Sequence, residues 1–296
     1  MRKNSIVHLF YSLGVFMFLF SALRSLLLSV ALLQSVALLA QTSLAPPAPI
    51  ALRLGVAPHT SARVILEMYQ PLRVYLEKSL DRPVEVSTAP DFTEFARRML
   101  HQDYDIAITT GHQARLAQTD AAYVPLITYG ADFRAVALVA DDSPVKRAKD
   151  LHGKPVLGLS PTSLVTLWGQ HWLKNNGIHS PLRYVSASDS VARIVLSGEA
   201  IAGFTSLANY QSLPRDLQTK MRFLVISEPL AGRVYMLNQR QLALKSKIEA
   251  ALTDFAASPA GQAYFAKYKL DGYRSLRSHE LEAMDPYAAE VRQSLQ

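Results

Sequence analysis

The sequence predicts an α/β protein of two lobes, each a parallel sheet with helices on its faces. Three observations carry this. Up to Tyr129, short apolar runs of strand character alternate with patterns of helical period, and the order strand, helix, strand recurs three times. From Lys154 the same grammar resumes. Two further β-like runs, Arg134–Ala140 and Arg233–Leu237, stand where the chain would cross from one lobe to the other and back. The expected organisation is therefore discontinuous: residues 51–135 and 233–296 form the first lobe and 136–232 the second, joined by two crossing strands.

The leader is set aside first. Arg2 and Lys3 precede the apolar run Ile6–Leu23, and a second run, Leu26–Ala40, leads into QTSLAPPAP. A basic start, an apolar stretch and small residues near Ala40 make residues 1–45 an export signal. Residues 6–23 are also long enough to span a bilayer as an uncleaved anchor. Either way the remainder is expected in the periplasm. The leader holds three of the 31 basic residues and none of the 24 acidic ones, so the rest is mildly basic. Its basic residues are scattered, which gives no stripe for nucleic acid. With no cysteine there is no lipoprotein anchor, disulfide or thiolate metal site.

The elements follow in order. Ala51–Ala57 is a buried strand, and Pro58-His59-Thr60-Ser61 a loop and cap. Ile65, Met68, Leu72, Tyr75, Leu76 and Leu80 recur at helical spacing, with Pro71 expected to kink or break the helix. Val84–Ala89 alternates as a strand. Asp91-Phe92-Thr93-Glu94 has capping-box spacing. Tyr104–Thr109 and Tyr123–Tyr129 are strands flanking a helix over 113–118. In the second lobe the strand Pro155–Leu159 leads through Ser160, Pro161, Thr162 and Ser163 into a helix that stops before Gly177. A strand near Arg183–Ser186, a helix from Asp189, the strand Ala200–Thr205, a helix over 207–220 and the strand Arg222–Ser227 complete it. After the return crossing the chain is mostly helical, with a last helix over Glu280–Leu295.

The chemistry points to binding. There is no G-x-S-x-G, G-x-x-x-x-G-K, G-x-G-x-x-G or H-E-x-x-H motif, and no carboxylate pair stands out as acid and base. No catalytic residue, metal site or cofactor is expected. His59 and His112 directly follow first-lobe strands, where ligands of open α/β sheets collect, and either imidazole can donate to an anion or cap a loop. A zinc site would need third and fourth ligands at a recognisable spacing. Phe92 and Tyr129 could line a pocket. Hydroxyls cluster at strand ends: Thr109-Thr110-Gly111, Ser160 with Thr162 and Ser163, Ser186 to Ser190 including Ser188, and Thr205-Ser206. Four clusters of O–H and N–H donors converging from two lobes would hold an oxyanion through directional hydrogen bonds. Each Ser or Thr before a helix is also an ordinary N-cap.

The chain resembles the substrate-binding proteins of ABC transporters for phosphate, phosphite and phosphonates. The residues that carry this are LRLGVAP at Leu52–Pro58, Gln70-Pro71-Leu72, Tyr75-Leu76-Glu77, Asp91-Phe92 in place of Asp-Tyr, Tyr104–Ala107, Lys149–Lys154 and Val195–Ala200. The resemblance implies the two-lobed type II periplasmic binding fold and a cleft ligand. It also implies an inner-membrane permease as partner, a monomer, and no nucleic acid. By the same resemblance, phosphonate oxygens would be held by Thr162 and Ser163, Phe92, and Thr110, Gly111 and His112. The sequence departs from the family at Leu164, where a glycine is usual, at Ser188, where a histidine is usual, and at Phe92, which lacks the phenol oxygen. The expected function is capture of a small oxyanion for an ABC transporter. The alternatives are a solute-sensing input for a membrane kinase or cyclase, and an enzyme on the same fold.

Overall fold

The computed structural model describes residues 49–185 and 188–296 of the 296-residue chain. The leader expected over residues 1–45, and Ser186 of the hydroxyl clusters, lie outside the described residues. Among the described residues no helix is long and apolar enough to cross a membrane.

The opening strand β1 (Leu52–Val56) buries all but Arg53, and α1 (Ala62–Leu80) returns along the sheet. The apolar positions of α1 point one way: Ile65, Met68, Tyr69, Leu72, Leu76 and Leu80 are buried. Pro71 does not break this helix. Pro71 and Glu67, whose carbonyl loses its intrahelical partner, both face solvent, so water can take the freed acceptor. Burial of the opposite face, at about 1.5–3 kcal/mol per large side chain, outweighs the loss.

Next come β2 (Val84–Ser87), α2 (Phe92–Leu100), β3 (Ile106–Thr110), α3 (Gly111–Asp120) and β4 (Tyr123–Tyr129). The expected cap on α2 is present, with Asp91 Oδ1 accepting from Glu94 N at 2.8 Å. The second sheet begins with β5 (Ala135–Ala140) and β6 (Val156–Gly158), followed by α4 (Leu164–Asn175), β7 (Leu182–Tyr184), α5 (Ser188–Leu196) and β8 (Ala202–Ser206). Two short helices, α6 (Leu207–Gln211) and α7 (Arg215–Gln218), replace the single helix expected over 207–220. Pro214 separates them, because it has no N–H to donate and disfavours helical backbone at Leu213. Then β9 (Met221–Ile226) leads to β10 (Arg233–Asn238), α8 (Lys245–Ala257), α9 (Pro259–Tyr268), β11 (Tyr273–Arg274) and α10 (Asp285–Ser294).

The strand orders are β11-β4-β10-β3-β1-β2 and β7-β6-β8-β5-β9. Both sheets are mixed, which corrects the expectation of parallel ones. β10 lies antiparallel between β3 and β4, and β5 antiparallel between β8 and β9. A chain that leaves one sheet at the carboxyl end of a strand enters the other sheet at its carboxyl ends, and so runs against its neighbours. The two crossings also pair, with Leu230 N donating to Phe133 O at 2.8 Å. Apart from β11, which runs antiparallel to β4, the remaining strands thereby turn their carboxyl ends to one region of the molecule, where ligands of open α/β sheets bind. Separate apolar clusters fill the two faces of the first sheet, one under α1, α8 and α9 and one under α2 and α3.

Candidate functional site

Loops that follow β1, β2, β6 and β7 enclose a cleft of about 820 Å³. Of the residues singled out in the sequence, His59, Phe92, Ser160 and Ser188 line it, two from each sheet's loops. The structure adds Thr60, Ser61 and Tyr184 to the lining. Ser160 Oγ is buried with no hydrogen-bond partner. Ser61 is the N-cap of α1, but its side chain makes no capping bond, and the first turn of the helix holds no acid. The partial positive charge at that helix end is therefore not offset from within the helix's own first turn or cap. Asp91, also at the wall, spends its carboxylate on the α2 cap.

His59 is fixed in one tautomer. Its Nδ1 lies 2.9 Å from Ala57 O, which can only accept, and its Nε2 lies 3.0 Å from Arg233 Nη1, which can only donate. Nδ1 therefore carries the proton. Burial, with the neighbouring Arg233 charge adding to it, holds the imidazole pKa down to about 3 against the Ala57 hydrogen bond, so the ring is neutral. Both nitrogens are taken, so the donor expected of His59 is committed inside the protein.

Thr110, His112 and Thr162 form one buried chain beside the cleft. The Thr110 hydroxyl donates to His112 Nδ1 at 3.1 Å, and His112 Nε2 donates to Thr162 O at 2.9 Å. The direction follows from the carbonyl, which leaves Nδ1 as the acceptor. Thr162 Oγ1 meets Thr93 Oγ1 at 3.0 Å. Ser163 stands at the N-cap position of α4 without a side-chain capping bond, and its Oγ donates to Thr166 Oγ1 at 2.8 Å. Gly111 N donates to Ala231 O at 3.2 Å, and a side chain at Gly111 would overlap Ala231 Cβ and stand 2.8 Å from its carbonyl oxygen. These residues tie the two sheets together, and the side chains of Thr110, His112, Thr162 and Ser163 are hydrogen-bonded within the protein. Burial lowers the His112 pKa to about 4, with the Thr162 bond opposing.

Thr205 and Ser206 close β8 and serve α6. Ser206 Oγ accepts from Asn209 N at 3.1 Å, and Thr205 Oγ1 accepts from Asn209 Nδ2 at 3.3 Å. Tyr129 lies under the first sheet, where its hydroxyl meets those of Tyr264 (2.6 Å), Tyr235 (2.8 Å) and Tyr69 (3.3 Å). Tyr235 passes the network to Tyr273 at 2.8 Å. Arg233 stands over the Tyr129 ring, its Cζ 5.2 Å from the centroid. These tyrosines come from α1, β4, β10, α9 and β11, and no local spacing announces their meeting. Arg233 carried a faint signal, being a charge at the head of an otherwise apolar strand. Among the described residues, no group of three or more His, Asp or Glu could hold a metal ion.

Compared with known proteins, the chain matches the family described as ABC transporter, phosphonate, periplasmic substrate-binding protein over residues 54–281. No curated protein matches it. Among solved structures, PhnD1 from Prochlorococcus marinus in complex with methylphosphonate superposes with a TM-score of 0.72 at 12% identity, over 82% of this chain and 98% of that one. XAC2383 from Xanthomonas citri bound to ATP gives 0.71 at 19% identity, over 83% of this chain and 99% of that one. A binding protein component of an ABC phosphonate transporter, PA3383 from Pseudomonas aeruginosa, gives 0.67 at 14% identity, over 84% and 98%. At such identities the likeness is one of fold. The two mixed sheets are those of a type II periplasmic binding protein.

Proposed function

The chain belongs to the phosphonate family of ABC transporter periplasmic substrate-binding proteins, and from that membership we propose that it captures an organic phosphorus oxyanion in the cleft between two lobes. Membership implies a small-molecule ligand, an ABC permease as partner and a periplasmic address. The finer reading takes residues 51–135 with 233–296, and 136–232, as lobes that close over the ligand. The protein acts as a monomer without nucleic acid, after export by the leader over residues 1–45.

The observation that carries this reading is Ser160 Oγ, a buried hydroxyl without a partner in a wall of the cleft. A buried donor left unpaired costs about 1–3 kcal/mol, which a ligand oxygen would offset. The N-terminus of α1 faces it across the cleft without an acid of its own, which favours negative charge. Phe92 and Tyr184 add aromatic surface. A cleft of about 820 Å³ falls in the range of roughly 300–1,000 Å³ that suits ligands well beyond a bare tetrahedral ion. PhnD1 was solved with methylphosphonate and XAC2383 with ATP, and both ligands carry phosphorus oxyanions. The ligand proposed here is thus a phosphonate or phosphate ester whose organic part rests against Phe92 and Tyr184.

Titration calorimetry on protein stripped of ligand tests this with methylphosphonate, a longer alkylphosphonate, inorganic phosphate and ATP. Heat is expected with at least one organic phosphorus oxyanion, weakened about tenfold or more in Ser160→Ala, as for a hydrogen bond to a charged group. Silence with all of them, together with heat from an unrelated solute, would sink the reading.

A further inference from the structure

Many arginines of this fold face carboxylates, while others, such as Arg134 and Arg222, donate to backbone carbonyls. Arg240 meets Asp105 at 2.9 Å, Arg274 meets Glu280 at 2.7 Å, and Arg115 and Arg292 meet Asp285 and Asp120 at 2.6 Å. Arg233 does not. Its register partner is Thr110, which sets it at the carboxyl end of the first sheet, on the side where α1 begins. There Nη1 donates to His59 Nε2 at 3.0 Å and reaches Tyr69 Oη at 3.5 Å, and the guanidinium stands over the Tyr129 ring. Among the described residues no Asp or Glu pairs with it. A guanidinium does not lose its proton in a protein, so a full positive charge is held here against neutral groups.

That charge has the same sign as the uncapped N-terminus of α1. His59, Thr60 and Ser61, which line the cleft, lie between the two. Arg233 is partly buried, so its unpaired charge bears part of the cost of leaving water, and the like-signed helix end on the same wall adds to it. The carboxylate on the first-sheet wall is Asp91, whose Oδ1 is engaged in the α2 cap, and it makes no ion pair with Arg233. We propose that Arg233 is the specificity-determining charge of this binding protein, positioned behind His59 to select an anionic group at the mouth of α1. His59 acts as a spacer of fixed orientation, since both its nitrogens are occupied. The seat for the anion therefore lies on the first-sheet wall at His59–Ser61, with Ser160 opposite, and away from the Thr162–Ser163 turn, whose hydroxyls are already bonded. The proposal rests on the oxyanion reading above for its class of ligand, but the choice of phosphorus over sulfur does not enter it.

Arg233→Met and Arg233→Lys separate charge from packing. Affinities for methylphosphonate, inorganic phosphate, ATP and methanesulfonate are measured by calorimetry at low and high salt, with thermal midpoints for each variant. Arg233→Met is expected to lose tenfold or more in affinity for every anion that the wild type binds, and to flatten the salt dependence. Arg233→Lys, which keeps the charge and forfeits the fork, is expected to fall between. A folded Arg233→Met that binds these anions as the wild type does overturns the proposal. If Arg233→Met does not fold, Arg233→Lys decides: retention within a few-fold supports selection by charge, and loss of binding at an unchanged thermal midpoint overturns it. Should the wild type bind methanesulfonate and no phosphorus anion, and Arg233→Met lose it, the phosphonate reading falls while Arg233 stands. A wild type that binds none of the four anions overturns both.

Discussion

His112 Nε2 donates to the carbonyl of Thr162 across 2.9 Å, joining the start of α3 on the first sheet to the loop before α4 on the second. The bond requires a neutral ring, because Nδ1 is needed as the acceptor for the Thr110 hydroxyl. Protonation would force two donors against each other in a fully buried place.

The pH dependence follows from the sign of that shift. The folded pKa is lowered to about 4, chiefly by burial, from an ordinary value of 6.5. The folded state therefore binds fewer protons than the unfolded one across that window. Stability due to His112 is complete above the ordinary value and is lost as pH falls through about 4, by on the order of 2–3 kcal/mol. His112→Gln retains an N–H for Thr162 and has nothing to titrate. Thermal midpoints taken near pH 7 and about pH 4.5 should fall less in His112→Gln than in the wild type, by about 4–8 °C. His59, held near 3, contributes the same slope to both proteins. Equal slopes in the two would show that His112 is not the titrating group.

Tyr129 is the hub of the phenol network, with three hydroxyl partners within 3.3 Å. Burial raises its pKa well above the ordinary value, as it does for Tyr235 and Tyr264, so these groups remain neutral donors and acceptors. Tyr129→Phe keeps the ring under Arg233 but leaves its former partners short of a bond. The expected loss is about 1–3 kcal/mol in urea unfolding, more than for a half-exposed tyrosine such as Tyr184 changed to Phe. An unaltered midpoint would mean that the remaining hydroxyls re-pair among themselves.

How far the fold could be read in the sequence depends on the range of the interaction. Asp91 and Glu94 are three residues apart, and the cap they make was readable as a spacing. So was Gly177, whose φ of +69° ends the α4 segment as a glycine is expected to. The place of Arg233–Asn238 between β3 and β4 was not readable, since it is decided by pairing with strands more than a hundred residues away. The same divide runs through the site. His59, Ser160 and Ser188 were visible because they follow strands, and the cleft is lined there. Thr162 and Ser163 have the same local signature. Whether such hydroxyls face a ligand or the protein depends on Thr93 and Thr166, and here they bond to those.

The C-terminal helix α10 offers a test of what holds the two sheet layers together. On the first-sheet side it is fastened to α3 by Arg115–Asp285 and Arg292–Asp120. On the other side it meets α4, where Tyr287 stacks on His171 at 4.7 Å and Glu290 pairs with the same imidazole. Between them Ala288 and Val291 are buried with Ala96, Leu116 and Leu167, a seam drawn from both layers. The two side chains of this contact are 29% and 39% exposed, so Glu290→Gln should cost at most about 1 kcal/mol. Val291 has no exposure, and Val291→Asp would bury a carboxylate without a partner, at about 3 kcal/mol or more. Guanidinium unfolding of the two variants should therefore separate them clearly. If Glu290→Gln proves the more damaging, the bridge is held by the Glu290 contact and the apolar seam is secondary.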